Sequence, residues 1–296
     1  MSSLQTFVED AIQSMLSALK ILLLSRLGLK LPKSSIQECV ILGNGPSLNK
    51  FIEDHRDFLD GRMRLAVNNF TRTKAFSIIK PQYYVISSPE HFNPDKIVEW
   101  HKDRMKTFEV MADRTNWPMT LFVPALAKRH QEWQTIIQEN PNIFIRYFNN
   151  TPIEGFRWVK DFCFSRNLGM PRPHNVLIPS LILGINLGFK KIFVAGADHS
   201  WLKELFVTEL NEVLLSQKHF YDKETLNEET DKNKPTPKPM YLGGTGQTRK
   251  LHEVLLKFYY SFRSYWDIKN YAEALSVSIL NITPGSYIDA FERQKL

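Results

Sequence analysis

The chain has 296 residues, 43% apolar and 23% charged, which gives it enough apolar material for a large buried core and excludes a disordered polypeptide. Lys and Arg number 38 against 31 Asp and Glu, a formal charge of +7 with a pI near 9.2, which suits an anionic partner such as a nucleotide, an acidic glycan or a phospholipid surface. No zinc-finger, RNP or other nucleic-acid signature accompanies that charge, so nucleic acid is not an expected partner. The two cysteines, Cys39 and Cys163, lie in apolar runs without ligand spacing; they read as buried free thiols and argue against structural zinc.

Residues 15–31 are apolar but interrupted by Lys20, Arg26 and Lys30. A membrane span needs about twenty nearly uncharged residues. A secretory signal is also a poor fit, because Glu9 and Asp10 precede the run and no small-residue cleavage site follows it. The pattern is that of a basic amphipathic helix, either lying on a membrane surface or packed on the domain or a partner subunit. Pro32-Lys33-Ser34-Ser35 reads as a hinge. Residues 1–35 are therefore expected to form an N-terminal helical unit and residues 36–296 an α/β domain.

The next stretch, Glu38-Cys39-Val40-Ile41-Leu42-Gly43-Asn44-Gly45-Pro46-Ser47-Leu48, is an apolar strand breaking into a tight turn with a helix to follow. Gly43 and Gly45 allow close backbone approaches, and Pro46 suits a first helical position. Free amides at Gly45 to Ser47 could meet a phosphate, and a plain strand-to-helix turn fits the residues equally well. The loop is neither GxGxxG nor a Walker A motif.

A helix follows over 48–59. Strands are expected at 65–70, 82–88, 120–124 and 143–148, and helices at 95–114 and 128–139. Residues 161–172 are irregular, 180–188 form an apolar helix stopped by Gly188, and 191–196 form a strongly apolar strand ending in Ala197-Asp198-His199-Ser200. Residues 201–245 break this rhythm with a polar, proline-punctuated insertion, expected to be a lid over the site. A long aromatic-rich helix at 248–271 and a strand at 276–282 close the chain, and no repeat is present. Strands alternating with helices predict a Rossmann-like, mainly parallel sheet with helices on both faces. Ligands of such sheets lie beyond the carboxyl ends of the strands. Asn44, Asn68, Ser87, Asp198 and His199 all fall there.

Four segments, in order, resemble bacterial sialyltransferases of glycosyltransferase family 42. Gly43-Asn44-Gly45-Pro46-Ser47-Leu48 is similar to the loop approaching the cytidine nucleotide, and Val67-Asn68-Asn69-Phe70 to the strand whose asparagine contacts the donor. Residues 182–198 resemble the helix and strand ending in Gly-x-Asp, and Met240-Tyr241-Leu242-Gly243-Gly244 resembles the lid stretch. The resemblance implies a nucleotide-sugar donor, with a CMP-sugar the first candidate, and a surface glycan or glycolipid acceptor. It implies that Tyr241 holds the leaving phosphate. The family's catalytic histidine falls on Gly244, and its Arg-x-x-Ser-Gly turn is matched loosely at Arg172 to Val176, which brings in Arg172 and Asn175. The glycine loop is equally similar to that of a pterin-diphosphokinase-like group, which would use ATP.

With no side chain at Gly244, His199 is the first candidate for general base, since an imidazole titrates near neutrality. Asp198 reads as a second base, a magnesium ligand or simply a hydrogen-bond partner for a nearby turn; His91, His174 and His252 rank lower. The donor is the one small molecule required, with magnesium left open. The expected setting is the cytoplasm or the inner face of the plasma membrane, with oligomerisation open, and a nucleotide-sugar-binding scaffold without catalysis is the third reading.

Overall fold

A computed structural model of the chain describes residues 3–92, 98–216, 237–241 and 247–296. Helix α1 (Ser3–Leu24) comes first, beginning well ahead of the apolar run that announces it. The central sheet then builds up from β1 (Glu38–Leu42), β2 (Met63–Val67), β3 (Tyr83–Val85), β4 (Met119–Pro124) and β5 (Ile143–Phe148). Between them run α2 (Ser47–Asp54), α3 (Lys74–Ile79), α4 (Val98–Arg114) and α5 (Glu132–Gln138). Helices α6 (Arg157–Ser165) and α7 (Leu177–Leu187) lead to β6 (Lys191–Ala195). A small three-stranded antiparallel sheet follows, made of β7 (Leu205–Val207), β8 (Val213–Leu215) and β9 (Lys238–Pro239). Helix α8 (Leu251–Ala274), β10 (Ser278–Asn281) and β11 (Glu292–Arg293) complete the chain.

The main sheet has the order β11-β10-β6-β1-β2-β3-β4-β5, with every neighbouring pair parallel. Its strands alternate between two cores. In β1, Cys39 and Ile41 face the core made with α6, α7 and α8, while Val40 and Leu42 face the core made with α2 to α5. Both faces are thus covered, as a parallel sheet requires. Helix α7 is buried along its whole length, so an uninterrupted apolar sequence is what it needs. It stops at Gly188, which takes the left-handed conformation expected of it (φ 97°).

The chain winds outward from β1 to β5 and then returns to place β6 on the other side of β1. The two strands at this reversal point their carboxyl ends together and send their connections apart, which opens a crevice between them. The loops beyond these ends are bonded to each other. Gly43 N–H donates to Ala195 C=O and Gly45 N–H to Gly196 C=O, each at 2.8 Å.

Several elements differ from expectation for local reasons. The second strand stops at Val67 because Asn68 turns left-handed (φ 48°) and the chain enters a short 3-10 turn. Helix α6 forms where an irregular segment was expected, burying Cys163 and Phe164. The expected lid at 201–245 is in part the β7–β8–β9 sheet, packed on α8 through Val213, Leu215, Val254 and Phe258. Its residues 217–236 and 242–246, with Gly243 and Gly244 among them, lie outside the described residues, as does Asp95 at the start of the expected fourth helix.

Gly43 has no room for a side chain: a Cβ there would stand 2.5 Å from the Gly196 carbonyl oxygen and 3.2 Å from that of Ala195. These are backbone atoms of the neighbouring strand's loop, and they move only if β1 and β6 separate. Gly43→Ala is expected to lose roughly 1–3 kcal/mol of stability, read as a lower urea midpoint at unchanged slope; a variant as stable as the parent would contradict the close approach.

Candidate functional site

A cavity of about 860 Å³ occupies the crevice beyond β1 and β6, within the range of small-molecule sites. Its floor is the glycine loop (Gly43 to Pro46) together with Asn68 after β2, Ser87 and Ser88 after β3, and the segment from Gly196 to Ser200 after β6. Its roof is Pro173 to Leu177 ahead of α7, with Arg249, Lys257 and Trp201 at the side. Asn44, Gly43, Gly45, Asn68, Ser87, Asn175, Asp198 and His199 are therefore brought to one place. Ser47 reaches the same place by bonding to Asp198.

The first turn of α2 is already occupied. Asp198 Oδ2 accepts the Ser47 hydroxyl at 2.8 Å and the Ser47 amide at 3.4 Å. The carboxylate lies so close to Gly45 that a Cβ there would overlap it. The protein's own side chain thus fills the position that the sequence reading offers to a phosphate on the amides of Gly45 to Ser47. Gly45 N–H is spent on Gly196, and Pro46 has none. Burial raises the Asp198 pKa above the usual carboxylate value, and the Ser47 bonds offset part of that rise.

His199 also departs from expectation. Its backbone is left-handed (φ 50°), and its ring is packed beside Trp201 at 4.2 Å and Tyr265 at 5.5 Å between centroids. Burial lowers its pKa from an ordinary 6.5 to about 3. The imidazole is neutral and weakly basic here, where the sequence reading placed a base poised near neutrality. Its Nε2 is 2.6 Å from the Tyr265 hydroxyl, which donates to Asn175 Oδ1 at 3.1 Å. The donor in the short contact is set by the imidazole tautomer: with the phenolic proton directed at Asn175, Nε2 carries the shared proton and Nδ1 is the acceptor.

Two further residues of the sequence reading stand apart from the cavity. Arg172 is held by Glu154 in a two-pronged pair, Nε to Oε1 at 2.9 Å and Nη2 to Oε2 at 2.6 Å, and lies over the Tyr260 ring. It stands behind the roof and does not line the cavity. Tyr241 is exposed, joins Thr248 in an isolated bridge and does not line the cavity either.

Among the described residues, five buried polar atoms of cavity-lining residues have no hydrogen-bond partner: Asn44 Oδ1, Asn68 Oδ1, Asn175 Nδ2, His174 Nε2 and Arg249 Nε. Leaving such an atom unsatisfied costs about 1–3 kcal/mol, so their convergence on one cavity marks a place for a polar ligand. Asn68 is fixed for this by Tyr84, whose hydroxyl donates to its carbonyl at 2.5 Å. Its neighbour Asn69 is turned away, with its Oδ1 accepting from the Thr107 hydroxyl. Asn175 is oriented by α7, whose Leu177 amide donates to its Oδ1.

The roof side carries positive charge. The His174 pKa falls to about 4 through burial and then through the charges of Lys257, Arg172 and Arg249, with Glu154 opposing them. Arg249 and Lys257 were absent from the sequence reading. They flank and enter a helix whose aromatic content reads as core, and the signal was their spacing of eight residues, a little over two helical turns. A magnesium ion does not fit well here: Asp198 is bonded to Ser47, and no group of three His, Cys, Asp or Glu stands together among the described residues.

Neither family models nor curated proteins give a match to this chain. Among solved structures it is similar to the MAf glycosyltransferase from Magnetospirillum magneticum AMB-1, at 10% identity and a TM-score of 0.48, over 97% of this chain and 38% of that one. The chain thus spans well under half the length of that neighbour. A similarity this distant says nothing about the site, and these findings do not place the chain among the family 42 sialyltransferases.

Both cavity histidines are neutral in the folded protein and basic in the unfolded chain. Their folded pKa values are depressed, so between about pH 6.5 and 3 the unfolded state binds more protons. The stability they contribute is present above 6.5 and lost as pH falls through that window. Thermal melts from pH 7 to 4 should show a steep decline in the parent protein and a shallower one in His199→Gln. Parallel declines would contradict the buried neutral imidazole.

Proposed function

We propose that the chain is a glycosyltransferase that takes a nucleotide-activated sugar into the cavity between the β1 and β6 loops. The observation that carries this reading is the sorting of the unpartnered atoms. On the floor, Asn44 and Asn68 present acceptors, which suit the hydroxyls of a ribose or the amino group of a base. On the roof, Asn175 Nδ2, Arg249 Nε and the N–H tautomer of His174 present donors, which suit phosphate oxygens. A nucleotide offers donors at one end and a charged acceptor at the other, so one molecule answers both walls.

Glycosyl transfer then needs leaving-group neutralisation and a proton acceptor. The acceptor hydroxyl oxygen bonds to the anomeric carbon as the bond from that carbon to the phosphate oxygen breaks. The nucleotide departs with the electron pair, and Arg249 and Lys257 stabilise its charge. The hydroxyl proton passes to Asp198, whose basicity burial increases, in preference to His199, whose basicity burial removes. His199, held by Tyr265, orients the acceptor through Nδ1. The donor is a CMP-activated acidic sugar and the acceptor a glycan hydroxyl, a choice supported by the likeness of the glycine loop and of Val67 to Phe70 to the family 42 segments and by the cationic roof.

Thermal shift and donor hydrolysis with a panel of nucleosides, nucleotides and nucleotide sugars test this. Stabilisation by CMP or its sugars with slow donor hydrolysis is expected. Arg249→Ala should weaken nucleotide binding about tenfold or more while sparing the nucleoside, and Asn68→Ala should weaken both. Asp198→Asn should retain binding and lower turnover by about 10²–10⁴-fold. Phosphoryl transfer from ATP would point instead to a diphosphokinase, binding without turnover to a scaffold, and no nucleotide binding at all would sink the reading.

A further inference from the structure

Helix α1 is seated by its polar side. Ser17 Oγ donates to Glu154 C=O at 3.0 Å and accepts the Glu154 amide at 2.8 Å, while Ser14 Oγ accepts the Phe156 amide at 3.0 Å. Lys20 adds an ion pair with Glu154 at 3.6 Å. The face turned away from the protein is apolar. Leu4, Val8, Ile12, Met15, Leu19 and Leu22 recur at intervals of three and four residues and are 47–78% exposed. They form one stripe about 27 Å long. This reverses the usual arrangement, in which the apolar stripe faces the core.

The stripe continues onto α6. Phe7 packs on Phe156 at 5.3 Å, Phe156 stacks on Trp158, and Trp158 is 71% exposed. Cations follow its far end: Arg26 and Lys30 come just after the helix, and the Asn149 amide bonds the carbonyls of both Arg26 and Asn167, the neighbour of Arg166 in the chain. Both arginines and Lys30 are exposed. A two-stranded coiled coil would bury a narrower seam edged by paired charges. Here the helix's charged residues are Glu9, Asp10 and Lys20, with Lys20 already paired to the body. Among the described residues no helix is long and apolar enough to cross a membrane.

We propose that α1 lies in the surface of an anionic phospholipid bilayer, with its stripe and Trp158 in the acyl boundary and Arg26, Lys30 and Arg166 at the headgroups. This surface lies outside the cavity, and its occupancy is read without any sugar donor. The test is co-sedimentation of the full chain with vesicles of phosphatidylcholine alone or mixed with phosphatidylglycerol. The parent protein is expected to pellet with the mixed vesicles and to be released by salt. Ile12→Glu and Leu19→Glu, both at exposed positions, should each cut vesicle binding about tenfold or more at an unchanged melting temperature. Arg166→Glu should weaken binding to the mixed vesicles alone. A parent protein that stays in the supernatant would overturn the proposal, as would variants that pellet equally well. So would a parent dimer that light scattering shows becoming monomeric in Ile12→Glu without any vesicle binding, since the stripe would then be covered by a second copy.

Discussion

The bond between Ser47 and Asp198 fixes everything that matters at the centre of this molecule. It joins the loop after β1 to the loop after β6, two segments 151 residues apart in sequence, across the point where the sheet reverses its winding. Two backbone bonds from Gly43 and Gly45 run beside it. A parallel sheet leaves the carboxyl ends of its strands as open loops, and this set of bonds holds two of them in one geometry. The same carboxylate satisfies the first turn of α2, so the floor of the cavity and the start of a helix share one support.

Around that support the protein leaves polar atoms without partners. Native interiors contain few of these, and here, among the described residues, five of them line a single cavity. The chain bears that cost at the reversal point of the sheet, where α/β folds bind their ligands. Left-handed backbone at Asn68 and His199, two positions on the cavity floor, adds to it. A packed core would have no use for either feature.

Much of this was legible in the sequence. Alternation of apolar strands and helices gives the parallel sheet, and the break at Gly43 gives its central turn. Asn44, Asn68, Asp198 and His199 were found because each follows an apolar strand. What sequence cannot show is pairing across distance. Asp198 was read as a base, a magnesium ligand or a partner for a nearby turn, and only the folded chain shows that the turn at Ser47 is what it binds. Arg172 was grouped with the site through a loosely matched turn because its partner, Glu154, sits in an irregular stretch with no motif to flag it. Burial of His199 depends on aromatic neighbours, Trp201 close by and Tyr265 far along the chain, whose convergence no local pattern reveals. Helix α1 was recognised as amphipathic, but the side that meets the protein is set by Ser14 and Ser17, against the usual hydrophobic rule.

Glu154 has a consequence of its own. Through backbone bonds to Ser17 and a side-chain pair with Lys20 it anchors the outlying helix, and through Arg172 it braces the segment that becomes the cavity roof one residue later. Neighbouring cations hold its carboxyl below the ordinary range despite its burial, so it stays charged well into acid. Removing that one side chain would release Lys20 on the helix and Arg172 beside the pocket wall at once, while the backbone bonds to Ser17 remain, so a change at the rim of this protein would reach its interior by way of a single acidic group.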